Sequence, residues 1–247
     1  MKILITGAHG NLGSEVSKLY PLAFKPTREE LDITNKEQVF EYIKSTRPDV
    51  IIHLAALITI NKCEENKQLA WNTNVMGTKY LIDACLKYNR NVYFVYMSTP
   101  CIFSGNPKEA PFTEDSIPYP KNFYSLSKLL AEMIVRTSVL KKWLVIRGNL
   151  VPRKTWSYPK AFTDRWGTYL FADNLAKAIK EAVDKKAKGI LHLVGNQRMS
   201  MHELAKITTP EVGKMTLNEY SGYPLTQDMS LDTIKWHKYK ITKQEKR

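Results

Sequence analysis

The stretch Lys2-Ile-Leu-Ile-Thr6-Gly7-Ala8-His9-Gly10-Asn11-Leu12-Gly13 decides the fold. Its apolar start reads as a buried strand, the Gly7-x-x-Gly10-x-x-Gly13 spacing as a tight turn, and Asn11 to Tyr20 as the helix which that turn opens. Glycine supplies the positive φ of such a turn and lets the backbone approach a pyrophosphate closely. The unpaired N–H groups and the positive dipole end of the helix then face the anion. Gly7, His9, Gly10, Asn11, Leu12 and Gly13 are therefore expected to border the phosphates of a dinucleotide.

Outward from this loop, apolar runs and helical patterns alternate, as a parallel sheet with crossover helices requires. A short second strand is expected near Leu22 to Phe24, then a helix to about Thr46 behind a Thr34/Glu37 capping box. Asp49 to Ala56 reads as a buried strand, Lys67 to Tyr88 as a helix, Val92 to Met97 as a strand, Phe123 to Leu140 as a long helix and Trp143 to Arg147 as a strand. Past Gly148 the texture changes: Pro, Trp and basic residues crowd Pro152 to Trp166, and Thr209 to Gln227 is rich in Pro, Gly and polar residues. Between these, Tyr169 to Val183 reads as strand then helix, Gly189 to Val194 as a late strand, and Ser200/Glu203 as a second capping box. The fold expected is α/β, a Rossmann-type doubly wound parallel sheet with a small C-terminal substrate-binding cap. Residues 1–150 would form the NAD(P)-binding domain and 151–247 mainly the cap, with 168–195 returning to the Rossmann core.

Composition narrows the partners. A formal charge of +13 over 247 residues invites nucleic acid, but the lysines are spread along the chain. The one dense run is Lys235 to Arg247, and no nucleic-acid-binding signature is present. No nucleic-acid or membrane partner is expected, since the opening apolar run is too short for a span or a signal peptide. Three cysteines, far apart and without a Cys-x-x-Cys pair, predict neither a disulfide framework nor a metal site, and suit a reducing cytoplasm.

An NAD-selective fold places an acidic residue at the end of its second strand, to bind the ribose 2′-hydroxyl. Here that region reads Phe24-Lys25-Pro26-Thr27-Arg28. Lys25 and Arg28 suit a 2′-phosphate, which favours NADP(H) over NAD(H), and Asp32-Ile33 would border the adenine.

Tyr124-Ser-Leu-Ser-Lys128 sits near a helix start, so its tyrosine and lysine lie one turn apart on one face. A tyrosine with pKa near ~10 is a poor acid or base at neutral pH. An adjacent ammonium favours the phenolate and brings it into range. Tyr239 and Lys243 match the same spacing, but with no strand and hydroxyl upstream. Ahead of Tyr124 the strand ending at Met97 runs into Ser98-Thr99, where a hydroxyl could polarise a substrate oxygen.

The glycine loop, His53-Leu54-Ala55-Ala56, Asn74-Val-Met-Gly-Thr78, Ser98-Thr99 and Tyr124-x-x-x-Lys128 stand in the order of the extended short-chain dehydrogenases/reductases. Within them the chain resembles the dTDP-4-dehydrorhamnose reductase-like branch in Leu31-Asp-Ile-Thr34, Arg47-Pro-Asp-Val-Ile-Ile-His-Leu-Ala-Ala56, Cys63-Glu-Glu65 and Phe103-Ser-Gly105. The resemblance implies reduction of the 4-keto group of a nucleotide-linked deoxysugar, with Thr99, Tyr124 and Lys128 as the triad. It also implies Leu54, Ala55, Ala56, Asn74 and Ser98 at the cofactor, with Asn74 supporting the active-site helix, and Asn149 bridging cofactor and substrate. Cations of the cap, among Lys108, Arg153, Lys154, Lys160 and Arg165, would grip the nucleotide diphosphate. Where relatives carry Asp-Tyr after the threonine, this chain has Pro100-Cys101. A cysteine at this offset serves as a base in related epimerase/reductases, whose partner acid would here be Lys154. Bifunctional 3,5-epimerase/4-reductase, 4-epimerase and a silent NADP-binding regulatory subunit are the alternatives, and family analogy implies a homodimer.

Overall fold

Strands β1 (Ile3–Thr6) and β2 (Val50–His53) are buried at every position, as apolar runs covered on both faces must be. With β3 (Tyr93–Ser98), β4 (Lys142–Arg147) and the strand Gly189–His192 they form one parallel five-stranded sheet in that order. Ile5 pairs with Ile52, Ile52 with Val95, Val95 with Leu144 and Ile146 with Leu191. This computed structural model describes residues 1–241. Lys243 and the end of the basic run lie outside the described residues.

Helices cover both faces. Helix α1 (Asn11–Leu19) packs with Ala172–Asp184 on one side, while α2 (Lys36–Thr46), Gly77–Tyr88 and Phe123–Thr137 form the other layer. The chain is thus a doubly wound α/β fold. The expected second strand shrinks to one bridge, in which Phe24 donates to Ile3 O at 2.8 Å and accepts from Ile5 N at 2.9 Å. Pro21 and Pro26 flank it, and neither has an N–H to extend a ladder. The capping residue of α2 is Asn35, which accepts from Gln38 N, because the Thr34 hydroxyl is already donated to Asp32. The helix expected from Lys67 onward contains a π-helical turn, Trp71–Met76, and is preceded by an unforeseen short helix, Ile60–Glu65.

The cap is built from short strands. Lys160–Phe162 pairs with Gly213–Met215, and Trp166–Gly167 lies between Met199–Ser200 and Asp228–Met229. The Ser200/Glu203 capping box forms as expected. A strap then returns to the Rossmann half, where Tyr239 N bonds Val194 O and the Tyr239 hydroxyl donates to Glu181. Tyr239 therefore has a packing role remote from the cleft described below. Among the described residues, no helix is long and apolar enough to cross a membrane, and no acidic, His or Cys cluster is arranged to hold a metal.

Candidate active site

The carboxyl ends of β1, β3 and β4 open onto a cleft of about 720 Å³, running from the glycine loop to Arg165 and Met229. At its phosphate end, Gly7 has φ +67° and lies so close to the next strand that a Cβ would stand 2.7 Å from Ala55 N. A Cβ on Gly13 would fall 1.9 Å from Gly7 O, so two glycines are required for packing. Gly10 differs: its Cβ would meet only Gly7 O, at 3.4 Å. Gly10 is also the N-cap of α1 and offers no side-chain acceptor, whereas Asn35, Asn122 and Ser200 cap their helices. The first-turn amides of Asn11, Leu12 and Gly13 have no intrahelical acceptor. With no acidic residue in that turn, they suit a dinucleotide pyrophosphate.

The adenosine side is lined by Arg28, Asp32, Ile33, Leu54, Ala55 and Ala56. Arg28 is exposed and pairs with Asp32 at 3.3 Å. The Asp32 carboxylate also takes two bonds from Thr34, of 2.9 and 2.7 Å. Lys25 does not line the cleft: its ammonium donates to Pro21 O at 3.0 Å, while its carbonyl contacts His9 Nε2 at 3.1 Å. A loop pinned from both ends turns that lysine aside, leaving Arg28 as the cation on this wall. Beneath Ala55, Thr6 Oγ1 bonds His53 Nδ1 at 2.7 Å, and burial pushes His53 down to about 3, with the Lys128 charge acting the same way. The ring is neutral and structural.

Asn74 also stands outside the cleft. Buried in the π-helical turn, its amide accepts from Leu57 N and donates to Leu57 O and to Ser127 Oγ, at 2.8, 3.0 and 2.9 Å. Ser127 in turn donates to Tyr124 O at 2.7 Å. Asn74 therefore ties the loop after Ala56 to the first turn of the tyrosine helix, the supporting role the resemblance implies, and does not itself line the cleft.

That helix is fixed at its start by Asn122, which accepts from Ser125 N, and by Glu64, which accepts from Phe123 N at 2.6 Å. Tyr124 and Lys128 then face the cleft together with Ser98 and Thr99 from the end of β3. Burial pushes the Tyr124 phenol well above its ordinary range, Cys101 adds to this, and the Thr99 hydroxyl opposes it. Burial brings Lys128 down to about 7, against the pull of Glu132. The lysine donates to Met97 O at 2.8 Å and lies 4.2 Å over the Tyr96 ring. Ser98 donates to Glu132 at 3.1 Å. Glu132 is held by Arg147 through contacts of 2.6 and 3.1 Å, with both side chains buried.

At the far end, Cys101 Sγ is 3.5 Å from Met229 Sδ, and Asn149 and Arg165 line the wall. The other expected cations do not arrive. Arg153 is drawn away by Asp173 at 3.1 Å and lies 4.0 Å over the Phe171 ring. Lys108, Lys154 and Lys160 are exposed and stand off the cleft. Lys154 therefore does not sit opposite Cys101 as the acid of an epimerase pair. Tyr169, Met201 and Met229 line the site without any signal in the sequence, because apolar residues at such spacings read as core.

The family model described as the RmlD substrate binding domain matches residues 1–160. A dTDP-4-dehydrorhamnose reductase of Aggregatibacter actinomycetemcomitans is 27% identical, over 97% of this chain and 77% of that protein. The crystal structure of a dTDP-4-dehydrorhamnose reductase ortholog from Clostridium acetobutylicum is 28% identical with a TM-score of 0.85, covering 94% of this chain and 90% of that one. The Bacillus anthracis dTDP-4-dehydrorhamnose reductase in complex with NADP shares the fold, with a TM-score of 0.85 at 23% identity over 94% of this chain and 90% of that one.

Proposed function

The chain belongs to the RmlD substrate-binding-domain family, and from that premise we propose that it reduces the 4-keto group of a nucleotide-activated deoxysugar with NADPH in preference to NADH. It is an NAD(P)-dependent oxidoreductase of the extended short-chain type. One observation carries the reading. Thr99, Tyr124 and Lys128 converge in the same cleft that begins at the uncapped helix start behind the glycine loop.

A dinucleotide held at the glycine loop would supply the hydride for the carbonyl carbon. The chain manages the oxygen. The Thr99 and Tyr124 hydroxyls would hydrogen-bond it; in the cofactor-free chain burial raises the Tyr124 pKa, where the sequence led us to expect the ammonium to lower it, so the phenol starts protonated and would act as the proton donor. Lys128 would then stabilise the phenolate left behind: burial lowers its pKa to about 7, and a negative charge forming beside it would draw it back to the ammonium. Arg28 would meet a 2′-phosphate by exchanging its exposed contact with Asp32, which is worth little in water.

The test is a panel of nucleotide-4-keto-sugars with NADH and NADPH, following absorbance loss and product stereochemistry. Reduction by neither cofactor would refute the reading. Epimerisation before reduction remains the second reading, because the Cys101 thiol lines the cleft. It requires solvent deuterium at the carbons flanking the ketone. A homodimer through the layer of Gly77–Tyr88 and Phe123–Thr137, where Leu126 and Met133 are part-exposed, completes the proposal and is checked by sedimentation. Free, buried Cys63, Cys85 and Cys101 suit a reducing cytoplasm.

A further inference from the structure

We propose that Tyr169 is a specificity-determining residue for the reaction: its phenol hydrogen-bonds one hydroxyl of the substrate's sugar ring and so rejects sugars deoxygenated at that carbon. Four buried side-chain hydroxyls, those of Tyr20, Tyr169, Thr226 and Ser230, have no hydrogen-bond partner among the described residues. Of these four residues, Tyr169 alone lines the cleft, and it is 1% exposed. Buried tyrosines ordinarily find a partner. Tyr93 and Tyr96 of β3 do, donating to Ala187 O and Lys128 O. A hydroxyl buried unpaired is costly, and in the wall of a cleft that cost points to a partner which arrives with the ligand.

The chain builds this position from three segments. Asn149 and Tyr169 immediately precede two paired parallel strands, Leu150–Val151 and Leu170–Phe171, and Leu170 N donates to Asn149 O at 2.9 Å. Gly167 lets both side chains lie over it: a Cβ there would stand 2.8 Å from Tyr169 Cζ and 2.9 Å from Asn149 Nδ2. The end of the phenol and the amide are therefore no more than about 6 Å apart, on a stretch of wall that both residues line. Asn149 does not satisfy the hydroxyl, and its own amide nitrogen is directed to Met229 Sδ at 3.9 Å. Burial pushes the Tyr169 phenol up against the opposing Arg165 charge, with the Asn149 amide the smallest influence, so the hydroxyl is a neutral donor.

Its surroundings decide which atom it meets. The ring packs with Cys101, Phe171, Met199 and Met229, and Tyr124 lies against the same cluster. Cys101 N donates to Thr99 Oγ1 at 3.2 Å, which puts the phenol on the side of the reacting carbonyl, away from the glycine loop. The occupant there is the sugar ring. In a wall of sulfur and hydrocarbon, a sugar hydroxyl pairs with the phenol, whereas a hydrogen in its place leaves the phenol unpaired; that difference discriminates the two sugars.

This inference rests on the nucleotide-sugar reading. NADPH oxidation by wild type and Tyr169→Phe is compared on a nucleotide 4-keto sugar bearing hydroxyls at C2 and C3 and on its 2-deoxy and 3-deoxy analogues. We expect wild type to favour the parent over one analogue by about 10- to 100-fold in kcat/KM. Tyr169→Phe should lose that factor on the parent and close the gap, with NADP⁺ affinity unchanged. Cofactor-free Tyr169→Phe should also unfold at a urea concentration no lower than wild type, because it removes a hydroxyl the fold leaves unpaired. A clearly lower midpoint would reveal a structural partner and overturn the assignment, as would a gap that survives in the variant. So would a wild-type protein that reduces all three sugars within threefold of one another, a comparison that needs no variant to fold. Wild type inert toward every sugar would instead overturn the nucleotide-sugar reading, and this assignment with it.

Discussion

Replacing Lys128 by methionine should make the protein more stable while removing its activity. The lysine is almost fully buried, and its pKa falls from the ordinary 10.5 to about 7. At ~1.4 kcal/mol per pH unit, keeping the ammonium inside costs about 5 kcal/mol at pH 6. Methionine fills nearly the same volume and avoids that cost, but it leaves Met97 O without its 2.8 Å donor, a loss of ~1–3 kcal/mol. The variant should therefore be more stable by ~2–4 kcal/mol at pH 6. The folded chain holds this pKa below the unfolded value, so between about 7 and 10.5 the unfolded wild type binds more protons and its stability rises with pH. The variant has no such group, and its advantage should narrow by ~3 kcal/mol on going to pH 9. Urea unfolding of both cofactor-free proteins at pH 6 and pH 9 measures this directly. A variant less stable than wild type at pH 6, or a gap equal at both pH values, refutes the account of Lys128 as a charge held at a cost for function.

Four further variants probe the same geometry. Tyr124→Phe should lower kcat by ~10²–10⁴-fold while NADP⁺ affinity, read by fluorescence titration, stays within a few-fold of wild type. Gly10→Ala should leave the melting temperature nearly unchanged yet weaken dinucleotide binding at least tenfold, since its Cβ clears the protein at 3.4 Å but enters the phosphate approach. Gly13→Ala should instead destabilise the fold itself, because 1.9 Å to Gly7 O cannot be accommodated; equal behaviour of the two variants in calorimetry would contradict both halves of this reading. Glu132→Gln should cost ~3–5 kcal/mol in urea unfolding by leaving the Arg147 guanidinium buried without its counter-charge, and a loss under 1 kcal/mol would show that pair to be dispensable.

What could be read in the sequence was local. The glycine loop, the turn separating Tyr124 from Lys128, and the strand end at Ser98-Thr99 are each fixed within a few residues, and the fold places them on one cleft. What escaped depends on partners far along the chain. Lys25, Arg153 and Arg165 look alike in a sequence. Their fates are decided by Pro21 O, by Asp173 and by two methionines, one of them 64 residues from Arg165. Asn74 supports the active-site helix as the resemblance implies, but the π-helical turn that directs its amide to Leu57 and Ser127, and so keeps it off the cleft wall, left no mark in the sequence. The second strand failed for a reason the sequence did carry, the two prolines around Phe24.

Among the described residues, the three buried cations, Lys128, Arg147 and Arg165, meet three different fates, and the differences separate structure from chemistry. Arg147 is matched by Glu132 on two nitrogens, so its charge is compensated within the fold and its task is to fix the acid that holds Ser98. The Lys128 ammonium donates to the Met97 carbonyl and lies over the Tyr96 ring face, and burial, against the pull of Glu132, leaves it titrating near neutrality, where a catalytic cation can respond to a forming phenolate. Arg165 is the least satisfied, with sulfur where oxygen belongs. A folded chain gains nothing by burying a charge it does not pair. The degree to which each cation lacks a protein partner therefore ranks how much its position is set by something that comes from outside, and the two less satisfied ones, Lys128 and Arg165, are the two that line the cleft.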